Sequence, residues 1–292
     1  MKNAIFMAMV FTITIISSAA QPSRQKSADD DAKSSKLWKI SKTGEKDSYL
    51  YAICHSANAS TTKINPEIPA ILDKVESLAM ELKMDEPGLQ EEMMKYLGMN
   101  DNQKLSAIYT AKQFSEVDSF FVSILGASLS NFETFKPLAL QSYILPSFLG
   151  YELFSFETSL ILAASEKGKN LLGLETVEKQ LSAFDKLDYS IQAELLYKMV
   201  KKDETLRKSY VALNQAYDSG NMEEIYTISK GLLGKPGSKA IFDDRNISFT
   251  KQIIELTGKQ PILIALGAGH FGGKNGILKL LAQKGFSVLP LN

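Results

Sequence analysis

"PILIALGAGHFGGKNGILKLLAQKGFSVLPL", residues 261–291, decides how this chain is read. Its opening run, "PILIAL", is apolar without interruption, as a strand buried on both faces is. A glycine-rich stretch follows, then the helical pattern "NGILKLLAQKG", then a strand-like "FSVLPL". A strand, a helix and a second strand make a βαβ-like unit and place the chain in the α/β class. His270 falls just past the carboxyl end of the first strand, where α/β sheets build their sites. The glycines around it permit a sharp turn and close backbone approach. The amino end of the helix that follows favours anions. A structural turn with an incidental histidine is the alternative.

The chain has two histidines. The other, His55, ends the strand-like run "SYLYAICHS" and, like His270, has a small residue three places before it: Ala52 in one case, Gly267 in the other. Alone, His55 reads equally as a satisfied core histidine. As a pair at the ends of two strands, the imidazoles can converge if those strands are neighbours. Two neutral imidazoles with one or two carboxylates suit zinc, manganese or cobalt.

The carboxylates are sought at the same level. Glu81 stands in "SLAMELKM", read as a short strand. A carboxylate buried there must be paired or metal-bound, unless it faces solvent on an edge strand. Glu175 ends the short apolar run "KNLLGLE". Glu178, three residues on, suits the start of a helix, where acids are favourable. Glu157 lies in a helical stretch. In "FDDRNISF", Asn246 is four residues after Phe242 and three before Phe249, so it shares their apolar face and needs hydrogen-bond partners there. Arg245 beside it suits a carboxylate or a substrate terminus; a surface ion pair with Asp243 or Asp244 is the alternative.

Working outward, "LWKIS" and "SYLYAICHS" flank a turn at Gly44 and form a hairpin. "INPEIPAILDK" is a helix, with Asn65 as its cap and Pro66 at its first position. From about residue 88 to 258 the pattern is mostly helical, interrupted by the strand before Glu175. The fold class is therefore α/β (α+β): a central mixed β-sheet built from the two ends of the mature chain, with a large, mostly helical middle. Residues 37–292 form one domain.

The chain begins "MKNAIFMAMVFTITIISSAA": a lysine, an apolar core too short for a bilayer span, then small residues. This reads as a secretory signal peptide, residues 1–20, with an uncleaved membrane anchor as the alternative. Residues 21–36 are polar and form a disordered linker. The expectation is an exported protein, periplasmic or extracellular, with no stable membrane span after cleavage. With 33 basic and 33 acidic side chains, no broad basic field points to nucleic acid. Cys54 is the single cysteine, which excludes an internal disulfide; it reads as a buried thiol. Gly-x-Ser-x-Gly, His-Glu-x-x-His and Walker signatures are absent, and the glycine spacing of "GAGHFGG" is not that of a dinucleotide loop.

These residues resemble the TraB/GumN family, related to the Tiki proteases, over nearly the whole mature chain. "LWKIS" with "SYLYAICH" looks like the family's opening hairpin, "ILDKVESLAMELKM" like its helix and acidic strand, and "FKPLAL" like its Lys-Pro-Trp segment. "SFETSLILAASEKGKNLLGLETVEKQLSAFDKL" is similar to its central block, where Glu175 and Gln180 match. "DDRN" falls on its Arg-Asn pair, and "LGAGHFGGKNGILKLLAQKGFSVLPL" on its closing block, the most specific piece. The resemblance implies a metal-dependent, hydrolase-like site of two Gly-x-x-His motifs and a glutamate, in a family whose Tiki members are metalloproteases. Ala52 replaces the first motif's glycine, Leu138 the tryptophan, and Ser155 and Glu157 the central Gly and Asp.

The expectation is a divalent ion (Mn, Co or Zn) held by His55, His270 and Glu81. Glu81, Glu175, Arg245 and Asn246 would assist catalysis on a peptide or small-molecule substrate. A non-catalytic peptide- or metal-binding envelope protein on the same fold is the alternative.

Overall fold

The computed structural model describes residues 34–291. The expected signal peptide and most of the expected linker lie outside the described residues. The linker's expected end, residue 36, is corrected: the fold begins at Ser35, which is buried. Its Oγ lies 2.7 Å from the Leu37 and Leu291 carbonyls, and the Lys36 carbonyl accepts from the Ala52 N–H at 2.8 Å. A small hydroxyl side chain can pair buried backbone oxygens that a polarity count does not foresee.

Strands β1 (Leu37–Ser41) and β2 (Ser48–Ile53) form the expected antiparallel hairpin. Helix α1 (Ile68–Lys74) starts later than the sequence suggests. Asn65 does not cap it; its Oδ1 accepts from the Glu67 N–H at 2.8 Å, a local turn that delays the helix. The helix buries Ile68, Ile71 and Leu72. Strand β3 (Ser77–Met80) is buried throughout, and Glu81 stands just beyond its end rather than inside it.

The middle is helical: α2 (Leu89–Tyr96), α3 (Leu105–Ile108), α4 (Ala111–Leu125), α5 (Pro137–Leu149) and α6 (Phe156–Glu166) precede β4 (Asn170–Gly173). Then come α7 (Val177–Ser182), α8 (Tyr189–Val200), α9 (Glu204–Asp218) and α10 (Met222–Ser238). A π-helical turn, Lys239–Asp243, leads from α10 into α11 (Asp244–Thr257). Strand β5 (Ile262–Gly267), helix α12 (Ile277–Gln283) and β6 (Ser287–Leu291) close the chain.

The six strands order as β4-β3-β5-β2-β1-β6. Strands β4, β3, β5 and β2 are mutually parallel, while β1 is antiparallel to β2 and β6. The chain ends thus supply every strand but β4. The closing βαβ unit is wider than its sequence suggests, because β2 and β1 lie between β5 and β6. All six residues of β5 are buried. Each large aliphatic side chain there contributes roughly 1.5–3 kcal/mol by leaving water, so this strand anchors the sheet. A second apolar core lies within the helical middle, around Phe121, Ile144, Phe148, Leu196 and Tyr210. No helix among the described residues is long and apolar enough to cross a membrane.

Candidate functional site

Four parallel strands end on one side of the sheet, and each delivers a chemically capable side chain there. His55 follows β2, Glu81 follows β3, Glu175 follows β4, and His270 ends the 3-10 turn Ala268–His270 after β5. Helix α11 brings Arg245 and Asn246 to the same place; both are buried. The structure therefore gathers all six sequence candidates.

Arg245 is the hub. Its Nη2 donates to Glu81 Oε2 at 2.6 Å and also to Glu175 Oε1. Its Nε lies 3.0 and 3.2 Å from the two Glu175 oxygens. Its Nη1 donates to the Ile241 carbonyl at 3.2 Å and sits 3.4 Å from His270 Nε2. All three of its nitrogens thus have partners within the protein, while the side chain still borders the pocket. Burial alone would raise the Glu81 carboxyl, but Arg245 outweighs it and holds the group well below the usual carboxylate range. At Glu175 burial prevails over the same guanidinium and the pKa is raised. Glu81 has further partners: Gln180 Nε2 donates to its Oε2 at 2.9 Å, and the Gly267 N–H to its Oε1 at 3.1 Å.

The imidazoles meet around Gly267. A Cβ placed on that glycine would lie 3.3 Å from Glu81 Oε1, 3.4 Å from His55 Nε2 and 3.7 Å from His270 Cδ2. Both rings and the Glu81 carboxylate therefore border the same point, and His270 Nε2 lies 3.6 Å from Glu81 Oε1. Ala52 has no such role. Parallel pairing sets Ala52 beside Leu266 and Ile53 beside Gly267, so the two motifs run one residue out of step. Ala52 also lies in ordinary strand backbone. Left-handed φ among described non-glycine residues is confined to Asp101, Asn102 and Lys202. The Ala52 methyl group is accommodated without backbone strain.

Each imidazole is oriented through Nδ1. His270 Nδ1 lies 2.6 Å from Asn246 Oδ1, while Asn246 Nδ2 donates to the His270 and Asn275 carbonyls at 3.1 and 2.9 Å. The ring packs between Phe242 and Phe249. Burial, helped by Arg245, lowers its pKa to about 3, so it is neutral at pH 7. His55 Nδ1 lies 3.0 Å from Glu157 Oε1, an ion-pair contact. Burial opposes charge on His55, but the Glu157 carboxylate outweighs it and the pKa is raised.

Sequence reading missed the side chains that hold these loops. Asn214 on α9 lies 2.8 Å from Ser56 Oγ and donates to the Ser56 carbonyl at 3.2 Å and to the Tyr151 hydroxyl at 2.7 Å. The Tyr217 hydroxyl donates to the Ala52 carbonyl at 3.0 Å. Asn214 stands one helical turn from Tyr210 and Tyr217, and a polar residue on that aromatic stripe was the available signal. Cys54 also lines the pocket, its thiol pushed up by burial.

A family profile described as the TraB/PrgY/gumN family matches residues 36–290. The chain belongs to the TraB/PrgY/gumN family. No curated protein and no solved structure matches it closely enough to add a relative.

Among the described residues, no three His, Cys, Asp or Glu side chains stand close enough to share an ion as placed. The donor chemistry nonetheless fits a divalent cation. Both histidines have Nδ1 beside a side-chain oxygen, which leaves His55 Nε2 for a ligand bond; His270 Nε2 faces Arg245 Nη1 at 3.4 Å and would bind an ion only once that contact gives way, and Glu81 Oε1 lies beside them. The pocket over this floor encloses about 70 Å³ and is roofed by Leu213, Tyr217, Ile225 and Phe242.

Proposed function

We propose that this chain is an exported metal-dependent hydrolase of peptidase type. What supports the reading is the gathering of His55 Nε2, Glu81 Oε1 and a neutral His270 ring around Gly267, in a half-apolar pocket at the sheet's carboxyl edge. His55, His270 and Glu81 would hold the ion, of manganese, cobalt or zinc type. Such an ion, when bound, supplies Lewis-acid polarisation of a carbonyl and a more acidic water.

The chain's own residues do the rest. Asn246 keeps the His270 ring as the Nδ1–H tautomer. Arg245, Gln180 and the Gly267 N–H fix the Glu81 carboxylate, and Glu175 fixes Arg245. The apolar wall of Leu213, Tyr217, Ile225 and Phe242 offers a surface to an uncharged side chain of a peptide. Arg245, expected to hold substrate, borders the pocket and also positions Glu81. Glu175 is turned onto Arg245 and does not line the pocket, so the catalytic part assigned to it becomes a positioning part.

That last point favours a second reading, a metal- or peptide-binding protein without turnover. Glu81 is the one carboxylate among the residues lining the pocket, and as a ligand it is not free to take a proton from water. One experiment separates the two. Metal-stripped protein is titrated with Mn²⁺, Co²⁺ and Zn²⁺ and assayed on a peptide library with and without chelator. Hydrolase function predicts metal-stimulated cleavage that disappears in His270→Ala. Binding without cleavage supports the second reading, and undiminished metal loading in both His55→Ala and His270→Ala overturns the metal centre itself.

A further inference from the structure

We propose that Glu157 is the positioning residue of His55: its carboxylate selects the Nδ1–H tautomer and turns the Nε2 lone pair toward Glu81 and His270. The inference deepens, and rests on, the reading of this pocket as a metal centre.

Glu157 lies in the first turn of α6, whose start is fixed by Ser155 accepting from the Thr158 N–H at 3.2 Å. The residue is 7% exposed. Its Oε1 has no hydrogen-bond partner among the described residues, yet stands 3.0 Å from His55 Nδ1. A buried carboxylate oxygen without a donor is costly. The imidazole N–H is the donor within reach, and a slight turn of either side chain aligns the contact as a hydrogen bond. An ionised carboxylate only accepts, so it requires the proton on Nδ1. A neutral ring protonated there carries its lone pair on Nε2, the atom that faces Gly267 beside Glu81 Oε1.

Asn246 does the same for His270, at 2.6 Å, with a neutral amide. The site thus has one imidazole backed by a charge and one backed by a dipole. A carboxylate behind a ligand histidine raises its basicity, and loss of such a partner costs 10–100-fold in metal affinity.

The test uses the whole mature chain. Nitrogen-15 histidine spectra followed over a pH titration, and read where each ring has become neutral, report the tautomer without metal. Calorimetric titration with Zn²⁺ or Mn²⁺ reports affinity. Wild-type His55 is expected as Nδ1–H. Glu157→Ala moves it to a mixture or to Nε2–H and weakens metal binding by about 10–100-fold. Glu157→Gln, whose amide oxygen still accepts, keeps the tautomer and loses less affinity. A wild-type His55 found as Nε2–H overturns the proposal with no variant needed, as does a Glu157→Ala protein with unchanged tautomer and affinity. A wild-type chain that binds no cation while its His55 tautomer still follows Glu157 sinks the metal centre and supports the positioning role.

Discussion

His55 and His270 leave adjacent parallel strands on the same side of the sheet, yet the loops that carry them are built by different means. The His270 loop is packed. Phe242 and Phe249 flank its ring, and α10 presses on the glycines that follow. A Cβ on Gly272 would lie 2.2 Å from the Met222 carbonyl oxygen, and one on Gly273 2.5 Å from the Tyr226 ring. The His55 loop is tethered instead. Its contacts are polar and come from Tyr151, Glu157 and Asn214, inserted 95 residues or more downstream. One ligand loop belongs to the sheet and its closing segment; the other depends on the helical middle. Steric demand therefore falls on the second motif, while the first tolerates Ala52.

The widest gap between the loops should appear on changing glycine to alanine and the reverse. Gly272→Ala drives a methyl group into backbone that cannot turn aside, and should cost about 3 kcal/mol or more. Ala52→Gly adds only backbone freedom in a strand and should cost about 1 kcal/mol or less. Urea unfolding of the two variants measures both, and equal losses would erase the distinction.

Proton competition sharpens the contrast next. His270 is neutral down to a pKa of about 3, so it has no proton to give up near neutrality. His55 has a raised pKa, is protonated below it, and must lose that proton before Nε2 can bind. Metal affinity should rise with pH, about tenfold per unit below the His55 pKa, and level off above it. One proton is released per ion across this range. Calorimetry in buffers of different ionisation enthalpy counts it, and two protons would mean that both rings titrate alike.

The smallest expected effect is local. Asn214→Ala removes the cross-link to Ser56 and Tyr151 and should cost about 1–2 kcal/mol. Amide exchange should quicken at Ser56 and Ala57 and stay unchanged at Phe271. Matching changes in both loops would show that the tethers serve the whole site.

Local sequence carried the strands, because uninterrupted apolar runs such as β5 and aromatic ones such as β2 have few other solutions. It carried the histidine pair for the same reason, since each ends such a run. Glu81 was harder to place: "SLAMELKM" does not reveal that pairing stops at Met80, and that stop turns the carboxylate inward. The role of Arg245 was not legible. Only the meeting of β3, β4 and α11 decides that its nitrogens are spent on two glutamates. Nor was Glu157, which on α6 resembles any acid in a first helical turn until β2 arrives beside it. The one-residue offset between the two histidine motifs belongs to strand register, which a single strand's pattern does not encode.

The pairing of β2 with β5 joins Ile53 to Gly267, across most of the polypeptide. Contacts so far apart in sequence form slowly, and here they form the middle of the sheet. A chain still emerging from the ribosome, or one cut short before residue 262, has the first histidine but nothing to set it against. The pocket therefore requires both ends of the chain, and a truncated chain lacks it.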